Sequence, residues 1–233
     1  MQARKWQVLN GNDLKLIAAF AMLLDHMGVL LFSDVAILRI LGRLAFPIFA
    51  FMVAEGCCYT KNKLRHFLLI FGLGFVCQIV YFLSSGDNKL NILLTFSGSV
   101  LLIYALRAAY YAENWKKRVL WSQVFAAGML LAAVLDQVLQ FDYSFWGMMV
   151  PVLVSFARLR KFPDWAAVLL LGISLVLVGA VYAPTQNYAL LSLPILLLYS
   201  GRPGSHRMKY FFYIFYPAHL VVLEGVAMLM AVL

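Results

Sequence analysis

An all-α fold, a polytopic bundle of about nine membrane-spanning helices, is predicted by three features of the sequence. The 233 residues are 64% hydrophobic and only 12% charged, where a soluble domain carries charge on about a quarter of its residues. Apolar runs recur along the whole chain, several near the roughly 20 residues that a helix rising about 1.5 Å per residue needs to cross a bilayer core. The basic residues gather in short clusters between those runs, on every second connection, as membrane topology demands. No Gly/Ser-rich linker or soluble insertion interrupts the runs, so residues 1–233 read as one transmembrane domain.

The spans fall at about 13–33, 44–60, 64–84, 91–111, 118–139, 143–157, 165–183, 187–200 and 210–232, of which 143–157 and 187–200 are short for a full crossing. Basic clusters stand at Arg4 and Lys5, at Lys61, Lys63 and Arg65, at Arg107 with Lys116, Lys117 and Arg118, at Arg158, Arg160 and Lys161, and at Arg202, Arg207 and Lys209. The intervening connections, around Ser33–Arg43, Ser84–Asn91, Gln140–Tyr143 and Ala183–Asn187, hold only Arg39, Arg43 and Lys89. This alternation predicts an N-terminus in the cytoplasm and a C-terminus outside. It also explains the net charge of +9 without nucleic acid, since no interleaved basic and aromatic surface exists.

The first span contains Asp25 and His26. An ionisable group at bilayer depth is costly and by default marks a functional site. Neighbouring helical residues point about 100° apart, so Asp25 is expected to reach a different helix from the one His26 faces. The second span starts at Arg43, near the outer interface, where snorkelling is the ordinary role. It carries Glu55 just before Gly56 and ends at Lys61, Lys63 and Arg65. Arg39 reads as an interface residue. Cys57, Cys58 and Cys77, an odd number inside apolar runs, supply neither a disulfide framework nor a metal site. Asp136 and Asp142 fall at the end of the fifth span and read as interfacial, with lining of a mouth as the other option. In the last span Pro217 opens the helical ladder shortly before His219, and Glu224 follows five residues later.

By helical rise from the cytoplasmic ends, Glu55 lies about 8 Å deep, His219 about 14 Å, His26 about 20 Å and Glu224 about 21 Å. If their helices are neighbours these groups form a ladder across the membrane. Phosphate loops, nucleophile elbows and dinucleotide fingerprints are absent.

The stretches NDLKLIAAFAMLLDHMG, GRLAFPIFAFMVAEGCCYTKNKLR and LNILLTF, closed by YIFYPAHLVVLE, resemble the TraX family, named for the F-pilin acetylase of conjugative plasmids. They are also similar to the wider acyltransferase-3 superfamily, whose first span ends its apolar run in a histidine as here at His26. Glu55 replaces the serine usual in that superfamily, which favours the TraX branch. The resemblance implies a membrane acetyltransferase of the bacterial inner (cytoplasmic) membrane. It would move acetyl from cytoplasmic acetyl-CoA to an amine or hydroxyl on a protein, a glycan or a small molecule. In that reading His26 is the general base, His219 assists or polarises the thioester carbonyl, and Glu55 orients a histidine or Arg43. Asp25 belongs to the same catalytic set. Lys61, Lys63 and Arg65 hold CoA phosphates, and Arg43 and Glu224 contribute to binding; no metal is called for. The alternative is a proton-coupled small transporter or channel using the Glu55, His219 and His26 ladder.

Overall fold

The computed structural model describes residues 6–86, 88–202, 204 and 208–232. Arg4, Lys5 and Arg207 of the expected basic clusters lie outside them. Ten α-helices and one 3-10 segment order the described residues, without a strand.

Helix α1 (Gly11–Leu30) starts at a capping box, in which Asn10 accepts from the backbone of Asn12 and Asp13 while the Asp13 carboxylate accepts from Asn10 at 2.8 Å. The expected link before Arg43 is itself helical: α2 (Ala36–Gly42) leads with a short break into α3 (Ala45–Tyr59). Then come α4 (Lys63–Ser85), capped by Asn62, and α5 (Ile92–Tyr110), capped by Asn91. The Asn91 amide also donates to the Gly74 carbonyl at 2.8 Å, which pins α5 to α4. Helices α6 (Trp115–Leu139), α7 (Ser144–Leu159) and α8 (Asp164–Val181) follow, then the 3-10 segment Pro184–Leu191, α9 (Ser192–Leu197) and α10 (Met208–Val232).

Among the described residues, six helical stretches are long and apolar enough to cross a membrane. This is a membrane protein. The expected nine crossings are not nine such helices, however. Helix α1 carries Asp13, Lys15 and Asp25 within 20 residues, and α7 has 16 residues. The stretch expected as a span at 187–200 forms no spanning α-helix. Pro184 opens it in the 3-10 form, whose rise of about 2.0 Å per residue covers more distance than α-winding. The chain thereby returns from the end of α8 to the start of α1, where Leu9 donates to the Leu198 carbonyl at 3.0 Å and Ser200 to the Leu9 carbonyl at 2.8 Å.

The bundle has two distinct ends. At the basic end Arg158 and Gln7 meet Asp164, and Arg107 reaches the Cys58 carbonyl. At the opposite end the α4–α5 and α6–α7 connections pair through Leu90, Gln140 and Asp142. Helix α7 packs against α3, α5 and α8, which explains how a short helix with Pro151 inside it survives at depth. Its Val150 and Val154 join Leu14, Phe46, Phe51 and Leu171 in the main core. Helices α4 and α6 bury only 11% and 6% of their apolar windows, against 44% for the α2–α3 stretch and 50% for α5. They are the lipid-facing periphery.

Helix α2 folds back onto α1 with Gly42 against Asp25, so closely that a Cβ at position 42 would overlap the Asp25 side chain. Gly42→Ala forces α2 away from α1 at a cost of about 1–3 kcal/mol for overpacking. The expected outcome is a lower midpoint of thermal unfolding in detergent, whereas Gly72→Ala, which meets nothing within 4 Å, does not lower it, since alanine is the better helix former.

Candidate active site

Helix α1 lies beside α10, and this brings two residues 193 positions apart into contact. His219 Nε2 lies 3.0 Å from His26 Nδ1, and His219 Nδ1 lies 3.0 Å from the Phe215 carbonyl oxygen. A carbonyl only accepts, so His219 Nδ1 holds a proton and donates it there. In neutral His219 the Nε2 lone pair then accepts from His26 Nδ1–H. His26 Nε2 is left as the proton acceptor of the pair, the tautomer being set by the bonds made elsewhere in the chain. Phe215 stacks on the His219 ring at 5.2 Å and 9°, and Tyr216 meets it edge-on at 5.6 Å, which fixes the ring plane.

Asp25, one position before His26, turns to α2. Its carboxylate pairs with Arg39 Nη1 at 2.9 Å and with Arg43 Nη2. Arg43 is 6% exposed and also donates to the Tyr143 hydroxyl at 3.3 Å. The expectation of a snorkelling Arg43 is therefore corrected: α2 turns the residue inward, where a buried guanidinium requires a carboxylate partner. Beside these groups, at the end away from the basic clusters, opens a cavity of about 800 Å³. Asp25, His26 and Glu224 line it, as do Asp136, Asp142 and Tyr143. His219 and Arg43 stand behind that wall.

Residues 10–227 match the model of a family described as TraX protein. The chain belongs to the TraX family. A probable fimbrial assembly protein FimC, serogroup H1, of Dichelobacter nodosus is 28% identical over 242 residues, which cover 91% of this chain and 93% of that protein. The uncharacterized protein RP591 of Rickettsia prowazekii (strain Madrid E) is 40% identical over 60 residues, covering 26% of this chain and 23% of its own. No solved structure matches.

The TraX match runs from the cap of α1 to beyond Glu224, so it includes the histidine pair and the cavity. Other expected members of the TraX-family site stand apart. Glu55, 3% exposed, orients neither a histidine nor Arg43. Its Oε1 pairs with Arg158 Nε at 2.6 Å, and Arg158 also pairs with Asp164. The reason is the neighbour of α3 at that height, which is the C-terminal turn of α7. The ion pair of Glu55 therefore runs to Arg158, and through it to Asp164, and not to the histidines. His219 is also not free to polarise a carbonyl, because both its ring nitrogens are engaged. Lys61, Lys63 and Arg65 are exposed at the basic end, away from the cavity, with Lys63 Nζ 5.6 Å from the Tyr104 ring centroid.

Asp136 and Asp142 are part of the cavity lining. The Asp136 carboxylate accepts from the backbone of Phe141 and Phe145 at 3.1 and 2.9 Å, which shapes the α6–α7 turn. Burial pushes Asp142 up to about 7 against the pull of Arg43, so the wall carries less negative charge near neutrality than its carboxylates suggest. Arg158 is visible in the sequence only as a topological charge, and nothing there marks Tyr143.

Removing one partner of a buried ion pair leaves a charge without compensation, at a cost of about 3–5 kcal/mol. Asp25→Ala is therefore expected to lower stability by about 3 kcal/mol, at the low end of that range, because the Asp25 side chain is 19% exposed and keeps some solvation. Asp25→Leu combined with Arg43→Met removes both charges and recovers most of that loss, measured by thermal unfolding of the purified variants.

Proposed function

We propose that this TraX-family protein is a membrane-embedded acetyltransferase of the bacterial inner membrane, carrying acetyl from cytoplasmic acetyl-CoA to an amine or hydroxyl acceptor. The observation that supports the proposal is the histidine pair: with Nδ1 of His26 bonded to His219, Nε2 of this cavity-lining residue is left to accept a proton. Thioester aminolysis or alcoholysis needs such a base, and a neutral imidazole suits it near physiological pH. The acceptor loses its proton to His26 Nε2 as it attacks the acetyl carbon. His219 holds His26 in the required tautomer through Nδ1 and stabilises the imidazolium that forms. The thiolate that leaves takes the proton back from His26.

The basic clusters support a cytoplasmic basic end, and Lys61, Lys63 and Arg65 are then on the side from which CoA approaches. That edge and His26 are about 20 Å apart along the bundle, so the acyl arm must pass between helices. The acceptor meets it from the cavity at the other end. The Dichelobacter relative is named a probable fimbrial assembly protein, which makes a pilin amine the first acceptor to try, ahead of glycans and small metabolites.

General acid–base catalysis contributes about 10²- to 10⁴-fold. His26→Ala, in a preparation free of other acyltransferases, is expected to lower acetyl transfer by about that factor. His219→Gln, which keeps a polar group but changes the bond to His26, gives a smaller loss. Transfer at the wild-type rate by the His26 variant would overturn the assignment.

A further inference from the structure

One tyrosine of the cavity lining is held in an unusual way. Tyr143 has φ 60 and the next residue, Ser144, has φ 57, a left-handed pair that bulky L-residues rarely adopt. Backbone strain of this kind persists only where surrounding structure over-determines it, and it gathers at functional sites. Here the ring is fixed on both faces, stacked on Phe46 at 4.0 Å and 8° and on Tyr182 at 5.6 Å and 19°. Gly147 is the residue that leaves room for its Cβ. The residue is 8% exposed and lines the cavity.

The hydroxyl's hydrogen bond settles its polarity. Arg43 Nη1 lies 3.3 Å from Tyr143 Oη, and a guanidinium only donates. The phenol oxygen therefore accepts from Arg43 and its own proton is available to another acceptor. Donation from a cation strengthens the phenol as a donor in turn. Arg43 is held by Asp25, next to His26, so one chain of contacts sets the phenol and the imidazole at the same cavity.

We propose that Tyr143 is a catalytic hydrogen-bond donor, its Arg43-polarised hydroxyl bonding the acyl carbonyl oxygen as charge develops on it. This rests on the acetyl-transfer reading. As the acceptor attacks, its new bond to the acetyl carbon forms, its proton moves to His26 Nε2, and the carbonyl π pair moves to oxygen. Tyr143 keeps its proton and donates to that oxygen. Collapse restores the carbonyl, breaks the carbon–sulfur bond and returns the proton from His26 to the thiolate.

The test is Tyr143→Phe, which keeps both ring stacks and removes only the hydroxyl. Loss of one such donor costs about 10²- to 10³-fold in kcat. That loss is expected with KM for acetyl-CoA little changed. A second readout is independent of turnover: the infrared carbonyl stretch of carbon-13-labelled acetonyl-CoA, a ketone in place of the thioester, bound to the purified protein. Its frequency is lower on the wild type than on Tyr143→Phe. Wild type that transfers acetyl, with a variant at wild-type kcat and an identical stretch, overturns the Tyr143 assignment alone. Wild type that neither transfers acetyl nor binds acetonyl-CoA overturns the acetyltransferase reading and this assignment with it. If Tyr143→Phe does not fold, 3-fluorotyrosine at position 143 keeps the shape with a stronger donor. It lowers the stretch further, and an unchanged stretch is contradictory.

Discussion

Two imidazoles joined at 3.0 Å between the first helix and the last set the terms for the rest of this bundle. Neither ring can stay unpaired in a low-dielectric interior without a cost comparable to a lost hydrogen bond. Satisfying both of them fixes α1 against α10 in position and in rotation. The Phe215 carbonyl then decides the direction of every proton in the chain. What remains at the far end is one acceptor lone pair, on the residue that faces the cavity. Structure and proposed chemistry thus follow from the same constraint.

The other buried charges obey the same logic at different heights. Asp25 collects Arg39 and Arg43, and so binds α1 to the start of the α2–α3 stretch. Glu55 and Asp164 share Arg158, and so bind α3 to α7 and α8 near the basic end. A buried ion pair is weak evidence for stability, since an apolar substitute of similar volume is often as good. Its stronger effect is on arrangement, because each charge accepts few partners. Here the two clusters hold the ends of α3 in different company, and only the one beside α1 meets the cavity.

Much of this was legible in the sequence, and the limits have a physical pattern. The membrane class and most helix positions follow from composition, and the cost of ionisable groups at depth singles out His26 and His219, which the structure brings into contact. Composition and depth are properties of single segments. The partner of each charge is a property of which helices are neighbours, and no single segment contains it. Hence the angle between neighbouring residues sends Asp25 to another helix, as observed, but nothing within one segment turns Arg43 inward or pairs Glu55 with Arg158. Local winding was the second limit. The α2 turn looked like a link because seven residues are too few to show a helical period. The return at 184–191 looked like part of a short span because periodicity does not distinguish tight 3-10 winding. Tyr143 was invisible, since neither its left-handed backbone nor its bond to Arg43 has a signature in the residues around it.

The central claim is that the bundle presents His26 as a neutral imidazole with an unprotonated Nε2. The most direct measurement is nitrogen-15 NMR of the purified protein in lipid, labelled at histidine and assigned with His26→Ala and His219→Ala. The account predicts that both residues are Nδ1–H tautomers at neutral pH, with a coupling across the hydrogen bond from His26 Nδ1 to His219 Nε2. A His26 protonated at Nε2, or a fully charged imidazolium at that position, would contradict it.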